Sequence, residues 1–115
     1  MFDDIEHIAK VCHEANKAFC ESMGDFSQVG WNRIPKWQHD SIVEGVVFIL
    51  SNPGAGPEAS HNAWMEHKFE NGWVYGPIKD NISKTHPCLV PFEQLTPEHK
   101  AKDHIFRGIV LSFLK

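Results

Sequence analysis

The sequence predicts a mainly α fold of about four helices with a small two-stranded β element. Three observations carry that expectation. Apolar residues recur at three- and four-residue steps in the segments that open and close the chain. Helix-ending glycines and helix-starting prolines stand at 24, 35, 57, 72 and 97. Strand-like runs are confined to the short stretches 73–75 and 88–92.

The first helix rests on Ile5, Ile8, Cys12, Ala15, Phe19 and Met23, one stripe of about six turns, and Gly24 stops it. Residues 26–33 read as a connection that contains Gly30 and Trp31. A second helix is expected over about 35–50, with proline near its first turn; its end, Val43-x-x-Val46-Val47-x-x-Leu50, is apolar on more than one face and reads as buried. Asn52-Pro53-Gly54-Ala55-Gly56-Pro57 is an ordered break inside one domain, 1–115, because the flanking helices are too short to stand alone. A third helix spans about 57–70 and ends at Asn71-Gly72. Residues 73–75 form one short strand, 80–87 a polar loop, and 88–92 a second short strand. Thr96-Pro97-Glu98 supplies a capping hydroxyl, a first-position proline and an acid at the positive helix end. The last helix is expected to bury Ile105, Phe106, Ile109, Val110 and Phe113.

Composition narrows the function classes. At 115 residues, 42% apolar and 23% charged, the chain can build a core without metal or disulfide staples. The net charge of -4 comes from the first 50 residues, with eight carboxylates against four Lys/Arg; residues 51–115 balance at seven each. No basic stripe follows a phosphate backbone, so nucleic-acid binding is not expected. The first residues carry acids rather than a basic, apolar leader, and no apolar run is long enough for a bilayer, so a cytoplasmic protein off the membrane is expected. Cys12, Cys20 and Cys88, an odd set, fit reduced thiols.

Chemistry-bearing residues concentrate in 57–95. That stretch holds two tryptophans, three histidines, three lysines, a Gly-Trp-x-Tyr-Gly turn and a His-Pro-Cys segment. His61, Trp64 and Lys68 lie at i, i+3 and i+7, on one face of the third helix. Trp64 there is either core, with Lys68 extending past it and His61 on a carbonyl, or an exposed stacking platform flanked by cations. Gly72 can end the helix with positive φ; alternation then puts Trp73 and Tyr75 on one face, Trp73 in the core and Tyr75 half-buried with its hydroxyl bonded. Lys79, Lys84 and His86 lie in a mobile polar loop, where the lysines could meet a ligand's phosphates. His86-Pro87-Cys88 lacks the Cys-x-x-Cys pairing of a structural zinc site and the orienting third group of a nucleophilic pair. Neither a metal nor a cofactor is expected, and Cys88 reads as a small buried residue. Trp31 and Trp37 flank Pro35 and are expected to pack on its ring or to help close a dimer.

The pattern Pro57-Glu58-x-x-His61-x-x-Trp64-x-x-x-Lys68-x-x-x-Gly72-Trp73-x-Tyr75-Gly76-Pro77-x-Lys79-Asp80, followed by Lys84-x-His86-Pro87-Cys88-Leu89-Val90-Pro91-Phe92, resembles the ryanodine-receptor repeat, or RyR domain. The resemblance implies a stand-alone bacterial or phage member, since the chain shows neither the channels' transmembrane segments nor their tandem repeats. A single repeat that keeps the pairing surface is expected to form a twofold homodimer. In the channel repeats the tryptophans matching Trp64 face one another and are associated with purine nucleotides. The resemblance therefore implies a non-enzymatic ligand-binding or assembly module with a nucleotide at a dimer-related tryptophan face. Trp64 would stack the base, while Lys68, Lys79 or His61 would meet its anionic part; Tyr75, Lys84 and His86 complete the candidate set. The alternative is a protein–protein interaction domain with no small-molecule ligand, since tryptophan and tyrosine are enriched in interfaces too.

Overall fold

The computed structural model describes residues 3–114. Four helices dominate: α1 (Asp3–Ser22), α2 (Lys36–Ser51), α3 (Pro57–Glu70) and α4 (Pro97–Ser112). Short 3-10 turns at Trp31–Arg33 and Phe92–Gln94 precede α2 and α4, and two-residue strands β1 (Val74–Tyr75) and β2 (Thr85–His86) follow α3. The mainly α expectation and the bounds of α1 and α3 match closely. No helix among the described residues is long and apolar enough to cross a membrane.

Local chemistry sets the helix ends. Gly24 and Gly72 take φ of +87° and +86°, the left-handed conformation in which glycine carries no Cβ penalty, and they end α1 and α3. Gly56 precedes Pro57 at the head of α3, where the missing N–H costs nothing. Thr96 caps α4: its hydroxyl accepts the His99 N–H at 3.3 Å.

The main core forms where α1, α2 and α4 meet. Ile8, Ala9, Cys12, Val46, Ile49 and Val110 are buried there, with Ile42, Phe48, Phe106 and Ile109 packed around them. α4 buries a narrower stripe than its pattern predicts. Val110 is enclosed, but Ile105 is 37% exposed and Phe113 40%. Met23 lies past the end of α1 and is exposed, as is Val47 on the outer face of α2. The 52–56 break is stapled to the last helix. Arg107 donates through Nε to the Ala55 carbonyl at 2.7 Å and through an Nη to that of Pro53 at 3.3 Å.

The β element differs from expectation. β1 pairs with Thr85–His86 in parallel, Val74 opposite Thr85 and Tyr75 opposite His86. Residues 88–92 form no strand, because Pro87 and Pro91 lack ladder donors and the Val90 carbonyl is taken by His61. Parallel strands ordinarily need a long crossover. Here the connection doubles back: Asp80 and Thr85 exchange backbone bonds at 3.0 and 3.1 Å, and the Asp80 carboxylate accepts from Ile82 N–H and the Ser83 hydroxyl. Gly76 makes this possible, since a Cβ there would lie 2.6 Å from Thr85 Cβ.

Trp73 is buried, as predicted, but Tyr75 is not half-buried. It is 56% exposed, beside an equally open Val74. The Trp73 N–H still bonds the Lys68 carbonyl of α3 at 3.0 Å, so strand alternation begins only after it. With two strands and no covering layer among the described residues, Tyr75 stays largely open to solvent.

Candidate ligand-binding cavity

α1, α2, α3 and α4 do not close on one another completely. Between them and the β2 segment lies a cavity of about 620 Å³, with a smaller cleft of about 160 Å³ adjoining it. Phe48, Leu95, Ile105 and Phe106 supply apolar wall; Ser60, Trp64, His67, His86, His99 and Lys102 supply polar and aromatic edges. The larger volume falls in the ordinary range for small-molecule sites.

α3 presents Ser60, Ala63, Trp64 and His67 to the cavity, positions one helical turn apart. Trp64 is half-buried and lines both spaces. Its ring is fixed by two histidines: His61 stacks on it at 5.5 Å between centroids, and His86 meets it edge-on at 5.0 Å. The indole thus borders a space inside a single chain.

The histidines are committed to structure as well as to the site. His61 is 3% exposed; its Nε2–H donates to Val90 O at 2.7 Å and its Nδ1 lies 3.7 Å from Asp103. Burial pushes the Asp103 carboxyl up to about 6, while His61, His104 and Lys102 pull it the other way. His86 Nδ1 accepts the Cys88 N–H at 3.0 Å, which leaves the proton of the neutral ring on Nε2. Burial first, and then Lys79, Lys68, His99 and Lys102, drive its pKa down to about 3. The ring is neutral at physiological pH, with its one N–H at Nε2.

The cations divide into three roles. The Lys68 ammonium, on a side chain 5% exposed, caps the tryptophan pair Trp37–Trp73 at 4.8 and 4.9 Å from the ring centres. Lys84 sits at φ +58° and donates to Asn71 O at 2.9 Å, tying down the C-terminus of α3. Lys79 lines both spaces. Much of its side chain meets solvent, yet its place in the concavity desolvates the ammonium and lowers its pKa, and Lys102 lowers it further.

Of the residues singled out in sequence, His61, Trp64, Lys79 and His86 border the main cavity and Lys68 the adjoining cleft; Tyr75 and Lys84 lie outside both linings. The 80–87 loop is an ordered, bonded turn and not a loose one. Lys102, His99, Asp103 and Ser60 went unnoticed. The first three sit at helical spacing on α4, whose sequence signals are its capped start and its apolar stripe. Ser60 carries one usable signal: its hydroxyl is buried with no hydrogen-bond partner among the described residues. Trp31 packs against His39 at 4.9 Å and Trp37 against Trp73 at 5.5 Å.

The thiols are not arranged as nucleophiles. Burial raises Cys12 to about 12 and also raises Cys88, which keeps both protonated. Among the described residues, no three His, Cys, Asp or Glu side chains converge as a metal site.

A family model described as RyR domain matches residues 56–114, just over half of the chain. The chain belongs to the RyR domain family. The match starts at the head of α3 and takes in both strands and α4, so it includes the Trp64 wall and the α4 wall of the cavity. The α1 and α2 walls of this RyR domain lie outside it.

Proposed function

We propose that this RyR domain is a non-enzymatic module that binds a small, flat, anionic molecule, with a purine nucleotide or derivative as the best class. One observation carries the reading: a cavity of about 620 Å³ bordered by a histidine-braced tryptophan and by lysines with no carboxylate within ion-pair distance among the described residues. The ligand sits inside one chain. Trp64 offers its indole to the base, a contact worth roughly 1–3 kcal/mol. Phe48, Leu95 and Phe106 exclude water from the ring's other surfaces, and the neutral His86 donates from Nε2. The homodimer expected from the resemblance is compatible with this arrangement but not needed by it.

The test is intrinsic tryptophan fluorescence and melting temperature with AMP, ATP, ADP-ribose and cyclic nucleotides. A ligand at a hundred times its Kd adds about 2.7 kcal/mol of stability. Trp64→Phe should weaken binding while holding the fold. A flat response across the whole panel would remove the nucleotide from consideration.

A second reading, a protein-interaction domain, is favoured by a different observation. Phe69, Val74, Tyr75, Ile78 and Ile82 are all exposed, Ile82 by 94%. Sedimentation of the wild type and of Ile78→Ser/Ile82→Ser distinguishes it: self-association lost in the double variant supports this reading, and a monomer at all concentrations counts against a homodimer.

A further inference from the structure

Two lysines from distant parts of the chain line the same cavity. Lys79 comes from the loop after β1 and Lys102 from the second turn of α4. Neither has a carboxylate within ion-pair distance among the described residues. They are neighbours: Lys102 disfavours the charge on Lys79, and both act on His86 and on Asp25. Like charges gathered in a concavity raise the free energy of the empty site and lower that of a site holding an anion. In a chain of net charge -4, such a pair does not follow from general basicity.

Asp25 also borders the cavity and limits the charge that fits. Ser27, donating to its carboxylate from the backbone at 2.9 Å, keeps it ionised, and the two lysines add to that effect. Two ammoniums and three carboxylates line the larger cavity; Glu44 and Asp103 lie against His67 and His61, which leaves Asp25 as the carboxylate facing the lysine pair. Among the described residues no other Lys or Arg lines the larger cavity, and Lys68 is occupied by two indoles. A phosphate monoester brings roughly one and a half to two negative charges, a diester about one, and a polyphosphate chain more. The additional groups of such a chain would meet Asp25 and Asp103 without a further cation.

We propose that Lys79 and Lys102 form the anion-holding end of the cavity, and that it takes a single phosphate group, as a monoester or diester, in preference to a polyphosphate. This deepens the nucleotide reading and rests on it.

Calorimetry with adenosine, AMP and ATP tests this on the full chain, at fixed ionic strength and without divalent ions. AMP should bind about tenfold or more tighter than adenosine, and ATP no tighter than AMP. Lys79→Gln and Lys102→Gln should each bring AMP towards adenosine's affinity. Far-UV circular dichroism and the melting temperature of each variant report an intact fold. Asp25→Asn should improve ATP binding more than AMP binding. Equal affinity for adenosine and AMP, with both lysine variants indifferent, overturns the anion end but leaves the nucleotide reading standing. ATP binding tighter than AMP, or no effect of Asp25→Asn, overturns the single-phosphate limit. Failure of all three compounds to bind overturns both proposals.

Discussion

The ammonium of Lys68 lies 4.9 Å from the centre of the Trp73 ring, and no carboxylate shares that site among the described residues. Trp37 completes the contact at 4.8 Å. Two electron-rich indole faces replace part of the water that burial removes, an attraction of about 2 kcal/mol when desolvated. Burial still wins in part, pulling the Lys68 pKa down to about 8, with Lys79 adding to the effect.

The first prediction follows from that balance. The folded pKa of Lys68 lies below its ordinary 10.5, so the unfolded chain binds more protons between about 8 and 10.5. Relative to Lys68→Met, the wild type should therefore gain stability as pH rises through this window. Cys12, raised to about 12, acts in the opposite direction but is common to both proteins and cancels. Urea denaturation at pH 7.5, 9 and 10.5 measures the difference. A constant gap between the two proteins would mean that the ammonium is not desolvated.

His86 governs the acid side. Its folded pKa of about 3 is well below the ordinary 6.5, so the wild type loses stability as pH falls from 6.5 towards 3. Asp103 opposes this: raised to about 6, it binds its proton more readily when folded and favours the native state as pH falls below 6. His86→Asn retains a side-chain acceptor for the Cys88 N–H without the titration, and should flatten the acid limb. Chemical denaturation between pH 6.5 and 4 compares the slopes, and parallel curves would contradict the assignment.

Ser60 predicts an unusual sign for a buried substitution. An unpartnered buried hydroxyl costs about 1–3 kcal/mol. Ser60→Ala should therefore leave the empty protein as stable as the wild type or more so, as read from the urea midpoint. A loss above ~1 kcal/mol would show that the hydroxyl already has a partner.

Gly76 predicts a large local effect from one methyl group. Any Cβ there meets the Thr85 side chain at 2.6 Å, so Gly76→Ala must separate β1 from β2. The expected cost is about 1–3 kcal/mol. Hydrogen exchange should show lost protection at Val74 and Gly76, which donate to Lys84 O and His86 O, while α1 stays protected.

Much of the fold was legible because helices announce themselves locally. The Thr96-Pro97-Glu98 start, the glycine ends at 24 and 72, and the Ile5–Ile8–Cys12 stripe are encoded within a turn or two of where they act. The β element was not, because it depends on contacts formed across the fold. The pairing of Val74 with Thr85 needs the Asp80 turn and the Gly76 contact, and neither has a periodic signature. The site was half legible. Trp64, His61 and His86 stood out as rare residues at fixed spacing. Lys102 and Ser60 looked like ordinary helix-surface residues, and only the meeting of α3 with α4 makes them neighbours of a shared space.

The staple from Arg107 to Ala55 and Pro53 means that the stretch recognisable by kinship is not the stretch able to fold alone. Val110 and Phe106 on α4 pack against Ile8, Cys12, Val46 and Ile49, all upstream of residue 56, so a fragment beginning there would emerge with its largest apolar face bare. Transplanting this unit into another protein, or dissecting it from this one, must carry both leading helices along.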